Sequence, residues 1–323
     1  MSEPMVVARD RLSADEIAQV LALVEAAAAA DGVHPLAEQT MLALRAGGPA
    51  LLAFPSGAAG PGAAGSDAAG PGAAGDALAG YAYRDDGAAE FVVHPEHRRR
   101  GVGRALARAL REPGGGWPRV WAHGDLPAAG ALAASLGWSR LRTLWQLRRP
   151  LADPIPDAPP PAGVRIRTFE PGRDEAAWLE LNRRAFATHP EQGRWTIDDL
   201  MAREREPWFD PAGFFLAEED VPAPAEDAAT DEAAAPGRAS RLIGFHWTKV
   251  HGDGLGEVYV VGVDPAARGR GLGRVLTVAG LGHLRAIGLL SAMLYVDDEN
   301  LAAVRMYESL GFVRWSADVM YGE

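Results

Sequence analysis

The amino-acid sequence predicts an α/β protein made of two similar domains, each a mostly antiparallel mixed sheet with helices on both faces. Segments with the alternating pattern of strands are interspersed with segments that carry helix start signals. The stretch FVVHPEHRRRGVGRAL at 91–106 aligns without gaps on VGVDPAARGRGLGRVL at 261–276, and SLGW at 135–138 recurs as SLGF at 309–312. A proline-rich segment, LADPIPDAPPPAG, lies near the midpoint of the 323 residues.

This organisation predicts where the domains begin and end. The proline-rich segment at 151–163 is interpreted as an extended linker, because proline stiffens a chain. We therefore expect an N-terminal domain at 1–150 and a C-terminal domain at 164–323. Two further stretches, the Gly/Ala/Pro-rich 56–80 and the acidic, Ala/Pro-rich 219–240, cannot bury enough apolar surface to order themselves, and both are interpreted as loop insertions.

The first half is expected to start with a strand, MVVAR, followed by a helix. Ser13 and Glu16 have the spacing of a capping box at the start of that helix. A second helix is expected to start near Pro35, because proline favours the first helical position. The remaining predicted elements are strands at LLAF, ALAGYAYRD and AEFVV, a helix at 103–111, a strand at RVWAH, a helix at 127–136 and a strand at LRTLWQL.

The second half repeats this order. A strand, VRIRTF, precedes a helix that reaches about residue 188 and another at 197–205. Then come strands at GFFLAEE, RLIGFHWTKV and GEVYVVGV, a helix at 272–287, a strand at SAMLYVD, a helix at 300–310 and a final strand. In both halves the glycine-rich part of the repeat therefore follows the fourth strand.

Composition excludes several classes of function. The formal net charge of −11 argues against nucleic acid as a partner. The absence of cysteine excludes disulfides, thiolate metal sites and a cysteine nucleophile, and we expect no metal ion. No apolar run approaches the ~20 residues of a membrane span, and the N-terminus lacks the pattern of a signal peptide. We expect a monomeric cytoplasmic protein that binds no membrane.

The repeated motif has the chemistry of an anion site. A strand leads into Arg-x-x-Gly-x-Gly and then into a helix, so glycine backbone N–H groups and the positive end of the helix dipole converge, as a pyrophosphate requires. A Rossmann fold would need G-x-G-x-x-G after the first strand of a parallel sheet, whereas this loop follows a fourth strand. A P-loop is excluded because no G-K-[ST] is present.

The second half resembles the GCN5-related N-acetyltransferases. The resemblance lies in V-x-P-x-x-R-x-x-G-x-G, followed by N-x-x-A-x-x-x-Y-x-x-x-G-F at 300–312. The first half shares the loop and SLGW. The resemblance implies two tandem domains of that family, with acetyl-CoA as cosubstrate and a small-molecule amine that carries hydroxyls and a thiol as acceptor.

The resemblance also assigns site residues. Glu257 would take the amine proton, and Tyr307 would protonate the departing sulfur. Residues implied to bind acetyl-CoA are Val261, Gly262, Val263, Arg268, Gly269, Arg270, Gly271, Leu272, Gly273, Arg274, Asn300, Leu301, Ala302, Ala303, Val304 and Arg305, and in the first half Phe91, Val92, Val93, Arg99, Arg100, Gly101, Val102, Gly103 and Arg104. Residues implied to contact the amine substrate are Glu38, Glu191, Lys249, Glu257 and Tyr295.

Lys249 stands out because it is the only lysine beside 31 arginines. A guanidinium does not replace a compact ammonium donor, which favours a chemical role for this residue.

The halves differ where chemistry is expected. Alignment places Gly87 opposite Glu257, Ala133 opposite Tyr307 and Leu126 opposite Asn300, which predicts a non-catalytic first domain. Two other functions stay open from the sequence alone. One is an acetyltransferase for another small amine or a protein N-terminus, and the other is a non-catalytic acyl-CoA sensor.

Overall fold

The computed structural model describes residues 3–56, 78–85, 88–111, 114–187, 192–221, 239–252 and 254–323. Within these ranges the chain forms twelve strands and eight α-helices. It divides into two compact units, one of Met1–Leu144 with Ser316–Glu323 and the other of Trp145–Trp315. None of the helices in the described ranges has the length and apolar character needed to cross a bilayer.

The first unit has strand order β1-β2-β3-β4-β5-β12, in which β12 contributes its last residues. Neighbouring strands are antiparallel except β4 and β5, which run parallel. The elements are β1 (Met5–Arg9), α1 (Ala14–Asp31), α2 (Glu38–Arg45), β2 (Ala50–Phe54), β3 (Gly80–Arg84), β4 (Ala89–Val93), α3 (Val102–Ala109), β5 (Val120–Ala122), α4 (Pro127–Leu136), β6 (Ser139–Pro150) and β12 (Val313–Gly322).

Helices cover both faces of this first sheet. On β2, Leu52 belongs to a core cluster with Val20 and Leu23 of α1, while its neighbour Ala53 belongs to a cluster with Leu106 of α3. Adjacent strand residues point to opposite faces, so α1 and α3 lie on opposite sides.

The second unit has strand order β6-β11-β10-β9-β8-β7, with β6 entering from Trp145. Here β10 and β11 are parallel, and the pairs β10–β9, β9–β8 and β8–β7 are antiparallel. The elements are β7 (Val164–Thr168), α5 (Glu175–Ala185), α6 (Ile197–Glu204), β8 (Phe214–Val221), β9 (Ala239–Val250), β10 (Leu255–Val263), α7 (Leu272–Ala286), β11 (Ser291–Asp297) and α8 (Leu301–Ser309).

The second sheet is also covered on both faces. Trp178 of α5 is fully buried and meets Phe214 and Trp247 edge-on, with ring centroids 5.6 and 6.0 Å away. Leu276 of α7 packs in a separate cluster with Ala217 of β8. Ala217 is an odd number of residues from Phe214 along the strand, so its side chain points to the opposite face of the sheet. The predicted fold class is therefore confirmed.

Each predicted element is present, with differences at some ends. The helix expected near Pro35 begins at Glu38, because the N–H of Ala37 donates to the buried Glu90 carboxylate (2.9 Å) rather than standing inside a helix. The helix expected to reach 188 ends at Ala185. The predicted loop insertions lie largely outside the described residues, although β8 and β9 extend into the ends of 219–240.

The two compact units do not coincide with the boundaries at 150 and 164. The segment 151–163 falls in the second unit, and its first residue, Leu151, is fully buried with its N–H donating to Leu290 O (2.9 Å). The chain's last eight residues fall in the first unit, since β12 pairs with β5 from Val319 to Tyr321.

Candidate active site

The glycine-rich loop of the second unit joins β10 to α7. Gly269 and Gly271 both have a φ of +78°, in the left-handed region that favours glycine, and Gly271 is the N-cap of α7. The loop borders a cavity of about 290 Å³. The cavity is lined by Val263, Ala267, Arg268, Gly269, Gly271, Leu272, Gly273, Arg274 and Met306.

This loop fits a phosphate-bearing ligand. A Cβ added at Gly269 or Gly271 would meet no atom within 4 Å, and one at Gly273 would meet only Met306 Sδ, at 3.6 Å. A ligand can therefore approach the backbone closely, and the first N–H groups of α7 are donors without intrahelical acceptors. The geometry of this loop thus suits an anionic ligand such as a pyrophosphate.

The loop arginines also make contacts within the protein. Arg268 donates to Ala185 O at 3.3 Å, Arg270 pairs with Glu219 at 2.7 Å, and Arg274 donates to Ser309 Oγ at 2.8 Å. These contacts hold the loop in place. The backbone N–H groups are the natural hydrogen-bond donors to a phosphate.

Strands β10 and β11 pair only at their start. Their register runs from Leu255↔Ser291 to Glu257↔Met293, whereas β10 continues to Val263. A bulge between Val258 and Val260 bends β10 at this point. The strands thus part directly after Glu257, and the β11-facing backbone of β10 is left without a strand partner.

Val261, Gly262 and Val263, which the family resemblance implies bind acetyl-CoA, lie beside this gap. The N–H of Asp264 donates to Ile243 O on the β9 side at 2.9 Å. Because donors alternate along a strand, the N–H groups of Val261 and Val263 point to the other side, toward the gap. Gly262 is needed for packing, since a Cβ there would lie 2.4 Å from Phe245 Cε1. The register with β9 shifts at Tyr259, so the bulge in β10 lies just before these residues.

Glu257 is 7% exposed and lies where the strands part. Its Oε2 is 2.8 Å from His251 Nε2. Lys249 is its cross-strand partner on β9, which places both side chains on one face of the sheet. Two of the predicted substrate residues are therefore neighbours.

Aromatic side chains surround Lys249. Its Nζ lies 4.6 Å from the ring centroid of Trp208 and 5.2 Å from that of Tyr259. The buried Arg203 donates from Nε to the Tyr259 hydroxyl at 2.8 Å and stacks 3.9 Å from the ring centroid of Trp195. This face of β10 thus combines a carboxylate, an ammonium and aromatic surfaces.

Tyr307 is buried in α8 at 8% exposure, with its ring edge-on to Phe312 at 5.8 Å between centroids. Burial raises the pKa of its phenol to about 12, so the hydroxyl keeps its proton at neutral pH. Asn300 caps α8, accepting the N–H of Ala303 at 3.2 Å. That bond gives the side chain of Asn300 a structural function.

Tyr295 on β11 is 41% exposed, and its hydroxyl accepts a hydrogen bond from Gln146 Nε2 at 2.8 Å. Gln146 in turn accepts from Arg148 at 2.9 Å. Glu38, in the first unit, is the first residue of α2. Glu191 lies outside the described residues.

The first unit repeats the loop geometry. Arg99 and Gly101 have φ values of +61° and +88°, matching Gly269 and Gly271. Arg104 donates to Ser135 Oγ at 2.8 Å, as Arg274 does to Ser309.

The chemistry-bearing positions are not repeated. Ala133 is buried in α4, and Leu126 is the N-cap of that helix, without a side-chain capping bond. Gly87, aligned with Glu257, lies outside the described residues.

Sequence reasoning missed the partners of the predicted residues. The sequence alone assigns no role to Gln146, His251, Arg203 or Trp208. His251 alone had a usable signal, because a hairpin between RLIGFHWTKV and GEVYVVGV puts it close to Glu257. Within the residues the structure describes, no group of three or more His, Asp or Glu side chains is arranged to hold a metal ion.

Comparisons with known proteins identify the family of this chain. A family model described as "Acetyltransferase (GNAT) family" matches residues 176–312. A mycothiol acetyltransferase of Thermomonospora curvata is 56% identical over 99% of this chain and 98% of its own length. One of Thermobispora bispora is also 56% identical, over 94% of each chain.

Solved structures support the fold. A GCN5-related N-acetyltransferase from Sphaerobacter thermophilus has a TM-score of 0.62 at 23% identity, covering 98% of this chain and 95% of its own. A tandem GNAT protein from the clavulanic acid biosynthesis pathway has a TM-score of 0.61 at 20% identity, covering 99% and 98%. The chain belongs to the GNAT family of acetyltransferases, and within it to the family of the mycothiol acetyltransferases.

Proposed function

We propose that the protein transfers the acetyl group of acetyl-CoA to the cysteinyl amine of cysteinyl-glucosaminyl-inositol, with mycothiol and CoA as products. The observation that carries this proposal is the position of Glu257, a buried carboxylate at the point where β10 and β11 part, beside Lys249 and next to unpaired β10 backbone. The high identity to mycothiol acetyltransferases over the whole chain supports the choice of substrate.

Each of these groups has a separate task in the proposed reaction. Acetyl-CoA, held at the loop by backbone N–H groups and the start of α7, supplies the acetyl group as a thioester. The N–H groups of Val261 and Val263 donate to the thioester oxygen and stabilise the negative charge that develops there. Glu257 accepts a proton from the substrate ammonium, which frees the nitrogen lone pair for attack. Tyr307 donates its hydroxyl proton to the departing sulfur and regains one from the nitrogen, which loses its second proton as the amide forms.

The proton balance explains why a base is required. An ammonium and a thioester give an amide, a thiol and one proton released to solvent. The first deprotonation must precede attack, because a protonated amine has no lone pair to form the carbon–nitrogen bond. Glu257 is the carboxylate on this face of β10 that is suited to that step.

The substrate contacts stay proposals. Lys249 is positioned to donate to a hydroxyl or carbonyl oxygen, and Trp208 and Tyr259 offer aromatic faces for the sugar and inositol rings. Tyr295 is exposed enough to reach a ligand. Contacts from Glu38 and Glu191 rest on the family resemblance.

The first unit is proposed to bind acetyl-CoA without turning it over. Its loop has left-handed backbone conformations at the same two positions as the second loop. In the alignment, Phe91 and Val93 occupy the positions of Val261 and Val263. Ala133 supplies no acid in place of Tyr307. A division into functional domains at 1–150 and 164–323, a monomeric state and a cytoplasmic location stay predictions.

One assay tests the proposal directly. Release of CoA is followed with cysteinyl-glucosaminyl-inositol beside a panel of other small amines and an N-terminal peptide. We expect the thiol-bearing sugar amine to have the highest kcat/KM. A better turnover of another amine would refute the substrate, and no turnover with any amine would favour an acyl-CoA sensor.

A substitution at Lys249 tests the amine site separately. We expect Lys249→Arg to raise KM for the sugar amine and leave KM for acetyl-CoA unchanged. Loss of one hydrogen bond is worth about 0.5–1.5 kcal/mol, or roughly 2- to 13-fold. Unchanged kinetics would remove Lys249 from the site.

A further inference from the structure

His251 is held at a defined place in the β9–β10 hairpin. Its backbone N–H donates to Leu255 O at 2.9 Å, and its carbonyl accepts the N–H of Gly254 at 3.3 Å. Glu257 is directly opposite Lys249, and His251 is two residues beyond Lys249. Side chains two residues apart along extended backbone share a face, so His251 is the diagonal neighbour of Glu257.

The side chains of His251 and Glu257 meet at hydrogen-bond distance. Nε2 of His251 is 2.8 Å from Oε2 of Glu257. An ionised carboxylate can only accept, so Nε2 carries the hydrogen in this contact. In the part of the chain that the structure describes, His251 is the only side chain that hydrogen-bonds to this carboxylate. Glu257 is almost buried, with 9% of its side chain exposed, whereas 30% of the His251 side chain is exposed.

We infer that His251 is a positioning residue for the base: its Nε2–H holds Oε2 of Glu257, so that Oε1 is directed to the amine of the substrate. The terminal torsion of a glutamate is broad and roughly two-fold, so without a partner the carboxylate would rotate between orientations. A hydrogen bond to one oxygen restricts that rotation and leaves the second oxygen to accept the proton. This inference rests on the proposed function and adds a residue to which the sequence alone assigns no role.

Four variants test this role: His251→Ala, His251→Gln, Glu257→Gln, and the double variant His251→Ala/Glu257→Gln. We expect His251→Ala to lower kcat about 10-fold, as loss of a hydrogen bond to a charged group predicts, with KM for acetyl-CoA unchanged. His251→Gln keeps an amide N–H that can reach the carboxylate, and we expect its kcat within about threefold of wild type.

The double variant separates positioning from a structural effect. If His251 acts through Glu257, His251→Ala lowers kcat no further once Glu257 is Gln. A general loss of folding would instead lower kcat by the same factor in both backgrounds. Thermal unfolding of each variant is measured alongside.

His283→Gln is the matched control. His283 also lies near a carboxylate in the second unit, with Nε2 3.7 Å from Asp210, and it contacts none of the proposed catalytic residues. We expect wild-type kinetics for it.

Three results would overturn the inference. They are wild-type kcat for His251→Ala, equal losses in the two Glu257 backgrounds, or a His251→Gln variant as slow as His251→Ala. Failure of the proposed substrate is recognised separately, because the wild-type enzyme would then prefer another amine. The same cycle run with that amine still tests His251.

Discussion

Replacing Tyr307 by phenylalanine removes one hydroxyl from a buried ring and leaves the packing against Phe312 in place. We expect acetyl-CoA binding to be kept and kcat to fall. A positioned acid contributes about 10²–10⁴-fold, and its efficiency declines as its pKa moves away from the working pH. Burial raises the pKa of Tyr307 to about 12, whereas a thiol has a pKa of about 8.5. Proton transfer from Tyr307 to the sulfur is therefore energetically unfavourable. We expect kcat to fall by about 10²-fold, at the lower end of the range for a positioned acid.

The same pKa predicts the pH dependence. A phenol with a pKa of about 12 stays protonated through pH 9.5, so the ratio of wild-type kcat to Tyr307→Phe kcat is expected to be equal at pH 7 and pH 9.5. A tyrosine with an ordinary pKa of about 10 would lose part of its acid form over that range, and the ratio would fall.

The assay is single-turnover CoA release, which isolates the chemical step from product release. Tyr321→Phe is the control, because Tyr321 is similarly buried at 5% exposure but belongs to the first unit. Equal single-turnover rates for Tyr307→Phe and wild type would remove Tyr307 from the acid role. A ratio that narrows at pH 9.5 would refute the argument from burial.

Three other predictions follow from the structure. Gly271→Asp is expected to abolish both turnover and acetyl-CoA binding at the second loop, because it puts a negative charge among the N–H groups that would bind phosphate. Gly101→Asp, in the first loop, is expected to leave turnover largely intact. Calorimetry with CoA and steady-state kinetics check this, and an equal loss of turnover in the two variants would contradict it. Gly280→Ala is expected to destabilise the protein by about 1–3 kcal/mol, since the new Cβ would lie 2.0 Å from the ring of a buried histidine. Gly282→Ala is expected to raise stability by about 0.5–1 kcal/mol, because its Cβ would meet no atom within 4 Å. Thermal unfolding of both variants checks this, and equal shifts of the unfolding temperature would refute it. Burial alone would lower the pKa of His123, but hydrogen bonds to two carboxylates outweigh it and raise the pKa to about 10. The stabilisation of the fold by protonated His123 is therefore complete below about pH 6.5 and is lost as the pH rises through 10. His123→Gln should lower the free energy of unfolding by about 3–5 kcal/mol at pH 7 and by less at pH 10.5, and an equal loss at both pH values would contradict this.

The fold could be read from the sequence because local signals agree with the tertiary structure. Ser13 accepts the Glu16 N–H and Glu16 accepts the Ser13 N–H, as the capping box predicts. Both glycine loops follow a fourth strand. The start of α2 could not be predicted, because it depends on Glu90, a buried residue 53 positions away from Ala37.

The parts of the site carried by one continuous motif were predictable, and those made by contacts between segments were not. The loop at 268–274 has its glycines in the predicted places, since backbone conformation is set locally. The neighbours of Lys249, by contrast, depend on how residues near 208 fold back over the sheet. His251 is an intermediate case, because the hairpin pattern places it near Glu257 but the contact itself depends on the β9–β10 register.

A carboxylate near parted strands is not by itself a base, as the first unit illustrates. There β4 and β5 pair only at Ala89 and Glu90 before β4 continues to Val93. Glu90 therefore lies where two parallel strands part, as Glu257 does in the second unit. Both of its oxygens are already engaged: Oε1 by His123 at 3.0 Å and Oε2 by the N–H of Ala37 at 2.9 Å. Glu257 has one oxygen held by His251, and in the described chain no hydrogen-bond donor holds the other. A base needs a free lone pair directed at its proton, so the second unit has the carboxylate that can work, and Glu90 is better suited to holding the start of α2 in place.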